Sequence, residues 1–321
     1  MIEVKNLTKR YGDICAVSDL SFTIEKGQIY GFLGPNGAGK STTMNIMTGC
    51  LAATAGEVKI GGYDIFEEAD KAKKLIGYLP EQPPLYMDRT PREYLNFVAQ
   101  AKRIPKKEIP KQISRVLAIT QTEDVADRLI KNLSKGYKQR VGIAQALLGN
   151  PEVIILDEPT VGLDPRQIIE IRELIQELGK DHTVILSSHI LSEIQAVCQT
   201  IMIIAKGKLV ACDTPENLEK RYAGKISLEL AVETDNIDAK KILSQIPQVK
   251  SATVLSETRG DKQSKTVCRL GLEISGEADQ SLCREIFFAF AKEEKAILEL
   301  KSVKATLEDI FIELTGKGAE Q

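Results

Sequence analysis

The sequence lacks any apolar run long enough to cross a bilayer. Runs such as Val153–Leu156 and Ile201–Ala205 fall far short of the roughly 20 residues a membrane helix needs. None of the six cysteines (Cys15, Cys50, Cys198, Cys212, Cys268, Cys283) forms a Cys-x-x-Cys pair, which argues against zinc and dithiol motifs and suits reduced, mostly buried thiols. No long run of lysine or arginine occurs, and the formal net charge is only -2. Without a strong field toward polyanions, no nucleic-acid partner is expected. There is no low-complexity tract and no repeat of solenoid length. No leader opens the chain either: Met1-Ile2-Glu3-Val4 runs directly into a strand-like alternation, so a cytoplasmic protein is expected.

What is present is ordinary soluble-protein composition, 43% hydrophobic and 27% charged, in 321 residues, enough for two domains. Up to about residue 222, short apolar strands alternate with helical-period segments, the pattern of an α/β fold with a largely parallel sheet. Residues 2–6, 17–25 and Gln28–Leu33 read as strands. The apolar, β-branched stretches Val153–Asp157 and Thr183–Ser187 suit central strands covered on both faces. Between them Pro165–Leu178 places Ile168, Ile171, Leu174, Ile175 and Leu178 on one helical stripe. The proline-containing stretch from about 85 to 150, up to and including the segment after Leu133, reads as a helical insertion. A boundary is expected near Arg221–Gly224, dividing 1–222 from 223–321. Beyond it the pattern strand 226–233, helix 236–245, strand 249–257, turn 259–261, strand 265–275, helix 278–292, strand 296–303 suggests a small ferredoxin-like α+β domain, closed by a helix over 306–315.

Two motifs carry chemistry. Gly34-Pro35-Asn36-Gly37-Ala38-Gly39-Lys40-Ser41 fits G-x-x-x-x-G-K-[ST] completely, after a strand and before a helix. Glycines let the backbone turn its amides toward phosphate oxygens, and the helix N-terminus adds partial positive charge. Lys40 is expected to reach the β- and γ-phosphates, and the Ser41 hydroxyl to ligate Mg²⁺. The second motif, Val153–Leu156 followed by Asp157-Glu158, ends an apolar strand in paired acids. They are placed to face the crevice at the carboxyl ends of the strands. Asp157 suits Mg²⁺, directly or through water, and Glu158 suits polarising an attacking water.

The segment Leu133-Ser134-Lys135-Gly136-Tyr137-Lys138-Gln139-Arg140 resembles the L-S-G-G-Q-x-x-R signature of the ATP-binding cassette (ABC) family, and it precedes the Asp157-Glu158 strand as that family requires. The resemblance covers about residues 1–222. It implies a P-loop ATPase in which Tyr11 stacks on adenine and Gly34, Pro35, Asn36, Gly37, Ala38, Gly39, Lys40, Ser41 and Thr42 hold the nucleotide. Ser134 and Gly136 would then meet the γ-phosphate of ATP held by a twin subunit. His189, one of two histidines, matches the family's switch histidine, and Val161-Gly162-Leu163-Asp164 its interface-crossing loop. At the family's lid-loop glutamine stand Glu81 and Gln82, either of which could approach Mg²⁺. The signature departs from the pattern at Lys135, where a glycine is usual, which should reduce backbone freedom, and at Tyr137. The apolar Pro83-Pro84-Leu85-Tyr86 suits gripping a helix of a membrane partner.

Thr306–Gly316 resembles the closing segment of single-cassette subunits of ABC-2-type exporters, which pair with separate membrane proteins. The resemblance therefore implies an ATP- and Mg²⁺-dependent motor, peripheral on the cytoplasmic face of the membrane. It would pair as a homodimer or with a closely related cassette, and act on membrane-spanning permease subunits. A soluble ABC protein acting on ribosomes or DNA usually carries two cassettes or a long coiled coil, and neither is present. A binding-only regulator is the other alternative, opposed by the presence of both Glu158 and His189.

Overall fold

Continuous apolar strands need cover on both faces, and alternating ones need it on one; the N-terminal unit contains a sheet of each kind. The computed structural model describes residues 2–222, 227–258, 266–275, 280–303 and 307–316. In chain order the first unit holds strands β1 (Ile2–Tyr11), β2 (Ile14–Ile24) and β3 (Ile29–Leu33), then helix α1 (Lys40–Met47). Next come β4 (Ala55–Ile60), β5 (Tyr63–Asp64), α2 (Ala69–Lys74) and β6 (Ile76–Leu79). Helices α3 (Pro91–Ala101), α4 (Ile109–Ile119) and α5 (Lys135–Leu147) form the helical insertion. The unit continues with β7 (Val153–Leu156), α6 (Pro165–Leu178), β8 (Thr183–Ser188), α7 (Leu191–Val197), β9 (Thr200–Ala205) and β10 (Lys208–Asp213).

β2-β1-β4-β5 form an antiparallel sheet, so the expected strands at 2–6 and 17–25 are longer than read and close a hairpin at Gly12-Asp13. Their alternation is interrupted by register shifts, with Asn6 and Asp19 at positive φ, which is why the pattern looked shorter. The second sheet has the order β10-β9-β3-β8-β7-β6, parallel except for the β9–β10 edge pair. Every residue of β3, β7 and β8 is buried, as a doubly covered parallel sheet demands. Side chains of both sheets and α1 share one core that includes Leu7, Leu20, Phe32, Met44, Ile155 and Ile185.

The order of the second sheet fixes the site. β3, β8, β7 and β6 are neighbours and parallel, so the loops leaving their carboxyl ends emerge side by side. Those loops begin at Gly34, His189, Asp157 and Pro80. Around them the helices start where their caps dictate. Thr90 and Glu93 form a reciprocal capping box on α3, and Asp164 caps α6 by accepting from the Gln167 amide at 2.9 Å. Ile171, Leu174, Ile175 and Leu178 bury the α6 stripe.

The chain divides into its two compact units between Pro215 and Glu216 and again between Ile312 and Glu313. The expected limit at 222/223 lies at the end of helix α8 (Pro215–Tyr222). The second unit runs β11 (Ser227–Val232), α9 (Asn236–Leu243), β12 (Val249–Thr258), β13 (Val267–Ile274), α10 (Gln280–Lys292), β14 (Ile297–Val303), and helix α11 spans Leu307–Gly316. Its antiparallel order β12-β13-β11-β14 is that of a split βαββαβ unit. Leu228, Leu230, Leu270, Leu272, Ile286 and Phe290 form its separate core. Ala223 and Gly224 of the expected boundary and the turn at 259–261 lie outside the described residues.

Candidate active site

The glycine loop between β3 and α1 needs backbone conformations that side chains resist. Gly37 and Gly39 have φ of 79° and 105°, and a Cβ on Gly39 would stand 2.6 Å from the Ala16 carbonyl oxygen. The loop walls a cavity of about 470 Å³ lined by Ala16, residues 36–42, Glu81, Glu158, Val161 and His189. Lys40 is 6% exposed; its Nζ donates to the Gly34 and Pro35 carbonyls at 2.7 and 3.3 Å and lies 3.6 Å from Glu158 Oε1.

Glu158 joins the site's charges. Its other oxygen, Oε2, is 2.9 Å from His189 Nδ1, so one buried carboxylate bridges an ammonium and an imidazole. Glu158 also has φ of 47°, a left-handed conformation that costs a residue with a Cβ about 1–3 kcal/mol and that collects at functional sites. The neighbouring Asp157 is 2% exposed, and its Oδ1 accepts from Ser41 Oγ at 3.2 Å and from Ser187 Oγ at 2.6 Å. Ser187 accepts in turn from the Glu158 amide at 2.8 Å. An anion in the cavity would meet Lys40 and the start of α1, and a water beside Glu158 would meet a base already held by its partners.

Mg²⁺ suits a hydroxyl and one or two carboxylates, with phosphate oxygens and water completing its shell. Ser41 and Asp157 supply that pair, and Glu81 lines the same cavity whereas Gln82 does not. Among the described residues no cluster of three or more His, Cys, Asp or Glu could hold a metal alone. A cation here therefore suits arrival with a nucleotide.

The remaining sequence-predicted residues lie elsewhere. Tyr11 ends β1 at the tip of the hairpin whose Ala16 lines the cavity; it is 48% exposed, with Lys9 Nζ 5.1 Å from its ring centroid. Ser134 caps α5, accepting from the Tyr137 amide at 3.3 Å, and with Gly136 it lines a second cavity of about 320 Å³. Lys135 does not strain this segment: it is the first residue of a regular helix, so no left-handed backbone is asked of it. Gly136 is small for another reason, since a Cβ there would come 2.8 Å from Gln167 Cδ. Tyr137 donates its phenol to Asp124 Oδ2 at 3.0 Å, a bond that pushes its pKa up. Sequence reading missed Ser187 and Ser188. The available signal was two hydroxyls ending an otherwise apolar strand beside His189.

A glycine loop at the β3–α1 junction, facing paired acids at the end of a parallel strand, defines a P-loop nucleotide hydrolase. A family model described as ABC transporter matches residues 17–161. The chain is 36% identical over 326 residues to an uncharacterized ABC transporter ATP-binding protein, YhcH, of Bacillus subtilis (strain 168), covering 100% of this chain and 98% of that protein. It is 35% identical over 322 residues to the bacitracin transport ATP-binding protein BcrA of Bacillus licheniformis, covering 99% and 98%. Among solved structures, the dimeric post-hydrolysis state of the ATP-binding cassette MJ0796 bound to ADP and Pi aligns with a TM-score of 0.60 at 28% identity, over 67% of this chain and 98% of that one. The chain belongs to the ABC transporter family, as an ATP-binding subunit with an ATPase domain. No described helix is long and apolar enough to cross a membrane.

Proposed function

We propose that this subunit hydrolyses Mg-ATP between two paired cassettes and so drives export through separate membrane-spanning subunits, from the cytoplasmic face. The observation that carries the reading is Glu158, held between Lys40 and His189 in the cavity walled by the glycine loop. In this reading residues 34–42 hold the phosphates and Tyr11 the base. Ser41 and Asp157 hold Mg²⁺, with Glu81 rather than Gln82 beside it. Glu158 polarises the attacking water while His189 orients Glu158 and meets the γ-phosphate. Ser134 and Gly136 lie outside the cavity of their own chain, which suits their closing a twin subunit's site. Mg²⁺ supplies charge neutralisation at the phosphate oxygens when bound.

A membrane partner has an apolar surface available. Tyr86, Met87 and Phe97 are each about half exposed, and the Tyr86 ring packs on Phe97 and Tyr94 with centroids 5.2 and 5.8 Å apart. Tyr86 and Phe97, in tilted contact beside buried Tyr94 and after the Pro83-Pro84 turn, suit an inserted helix of a permease. A transport role is favoured by the likeness of the whole chain to the bacitracin transport ATP-binding protein BcrA, and export by the resemblance of Thr306–Gly316 to ABC-2-type exporter subunits.

Steady-state ATPase and light scattering test the proposal. Glu158→Gln should lower turnover by at least a hundredfold, a loss of about 2.7 kcal/mol or more in transition-state stabilisation, and accumulate a dimer in Mg-ATP. Equal turnover in both proteins would remove Glu158 from catalysis, and no ATP-dependent dimer would remove the paired-cassette reading.

A further inference from the structure

Glu193 is a carboxylate that the nucleotide chemistry above leaves unused, and it is only 4% exposed. It lies in the first turn of α7, and its Oε2 accepts from Thr160 Oγ1 at 2.6 Å and from Ser188 Oγ at 2.8 Å. Ser188 Oγ accepts from the Ile190 amide at 3.0 Å, so its single proton is committed to Glu193. Both hydroxyl residues are buried, at 5% and 0% exposure. Thr160 follows Glu158 by two residues, and Ser188 immediately precedes His189. Besides the bonds of Ser187 to Asp157 and to the Glu158 amide, the two strand ends are thus tied at the front by His189 and Glu158 and, behind them, through Glu193.

An apolar side chain of similar volume would fill such a place without the desolvation of a carboxylate. Thr160 Oγ1 and Ser188 Oγ meet the same oxygen of Glu193 at 2.6 and 2.8 Å, and that shared acceptor fixes their spacing. We infer that Glu193 is a positioning residue: through Thr160 and Ser188 it sets the separation of the loop carrying Glu158 from the loop carrying His189. It thereby holds the 2.9 Å contact in register and links the turn at Val161-Gly162 to the histidine. The inference rests on Glu158 and His189 being the hydrolytic pair.

The test uses the full chain with Glu193→Ala, Glu193→Gln and Thr160→Val. Glu193→Ala should reduce kcat about 10- to 100-fold, the usual loss when a supporting outer partner is removed, with the Kd of a fluorescent ATP analogue changed less than twofold. Glu193→Gln, whose amide oxygen can accept both hydroxyl protons, should restore at least a third of wild-type kcat. Thr160→Val should cost about tenfold alone and little more in the Glu193→Ala background. With only two histidines in the chain, ring NMR resonances add a readout independent of turnover. Those of His189 should shift in Glu193→Ala and in Thr160→Val and return in Glu193→Gln, while those of His182 stay fixed. A kcat within twofold of wild type in Glu193→Ala overturns the inference, as does a loss matched by lost nucleotide affinity and not rescued by glutamine. Should Glu193→Ala not fold, Thr160→Val decides by the same rate and NMR criteria. A wild type without turnover would overturn the hydrolytic reading alone; unmoved His189 resonances would still sink the link to Glu193.

Discussion

Gly39 and Gly136, both assigned above to the proposed nucleotide site, are small for opposite reasons, and the difference predicts how each tolerates alanine. Gly39 has a left-handed φ, and its missing Cβ would meet backbone, the Ala16 carbonyl, which cannot retreat. Gly39→Ala is expected to destabilise the chain by about 2 kcal/mol or more and to abolish nucleotide binding, measured by urea denaturation and analogue fluorescence. Gly136 sits in ordinary helix, and its Cβ would meet only the far end of the Gln167 side chain. Gly136→Ala should therefore still fold, the helix preference of alanine (about 1 kcal/mol) offsetting the displacement of the Gln167 side chain. If Gly136 contacts a twin subunit's phosphate, its defect will appear as a loss of ATP-dependent dimer alone. The family pattern made both glycines legible in the sequence, but it could not separate a strained backbone from a crowded neighbour. That distinction depends on Ala16 and Gln167, which are distant in the chain.

At the scale of elements, the last turn of α5 depends on a lysine from another helix's end. Lys102, just beyond α3, donates from Nζ to the Gln145, Ala146 and Leu148 carbonyls at 3.3, 3.2 and 2.8 Å. Helix C-termini leave such carbonyls without internal partners, so Lys102 locks α3 to the signature helix. Burial pushes its ammonium down to about 8, against an ordinary value of 10.5. Between those pH values the unfolded chain holds more protons than the folded one, so this residue makes stability rise with pH across that window; below about 8 both states are protonated and its slope vanishes. Lys102→Met keeps the apolar stem, should cost about 1–3 kcal/mol at neutral pH, and should remove that upward slope in denaturation curves taken from pH 8 to 10.5. Nothing in the sequence marks this lysine among the others of the insertion. Its three acceptors lie more than 40 residues downstream.

For the molecule as a whole, the two cores predict two unfolding events. Phe290 is fully buried among Leu228, Leu270 and Ile286, residues of the second unit only. Phe290→Ala should cost that unit about 3–5 kcal/mol. In calorimetry it should lower one transition and leave unmoved the one that Mg-ATP raises; a single transition responding to both changes would refute separate cores. Cross-strand pairs on this unit's sheet, Lys301–Glu229 at 2.7 Å and Arg269–Glu299 at 3.5 Å, are exposed and should add little to its stability.

The sequence alone determined the element types wherever their periodicity was uninterrupted: the stripe of α6, the buried runs of β7 and β8, and the β/α order of the second unit. It also determined the phosphate loop and the Asp157-Glu158 pair, because those motifs are local and their backbone demands are written in adjacent residues. The tertiary structure decided the rest. The N-terminal hairpin is longer than its sequence pattern suggests because its bulges interrupt the alternation, and its partner β4 carries no motif. That Glu81 and not Gln82 lines the cavity is a tertiary fact, because adjacent residues in a loop have no fixed period to assign them sides. Ser187, Ser188 and Glu193 stayed unread because a hydrogen bond joins atoms that are close in space. Only the order β3-β8-β7-β6 brings the ends of those strands, far apart in the chain, within reach of one another.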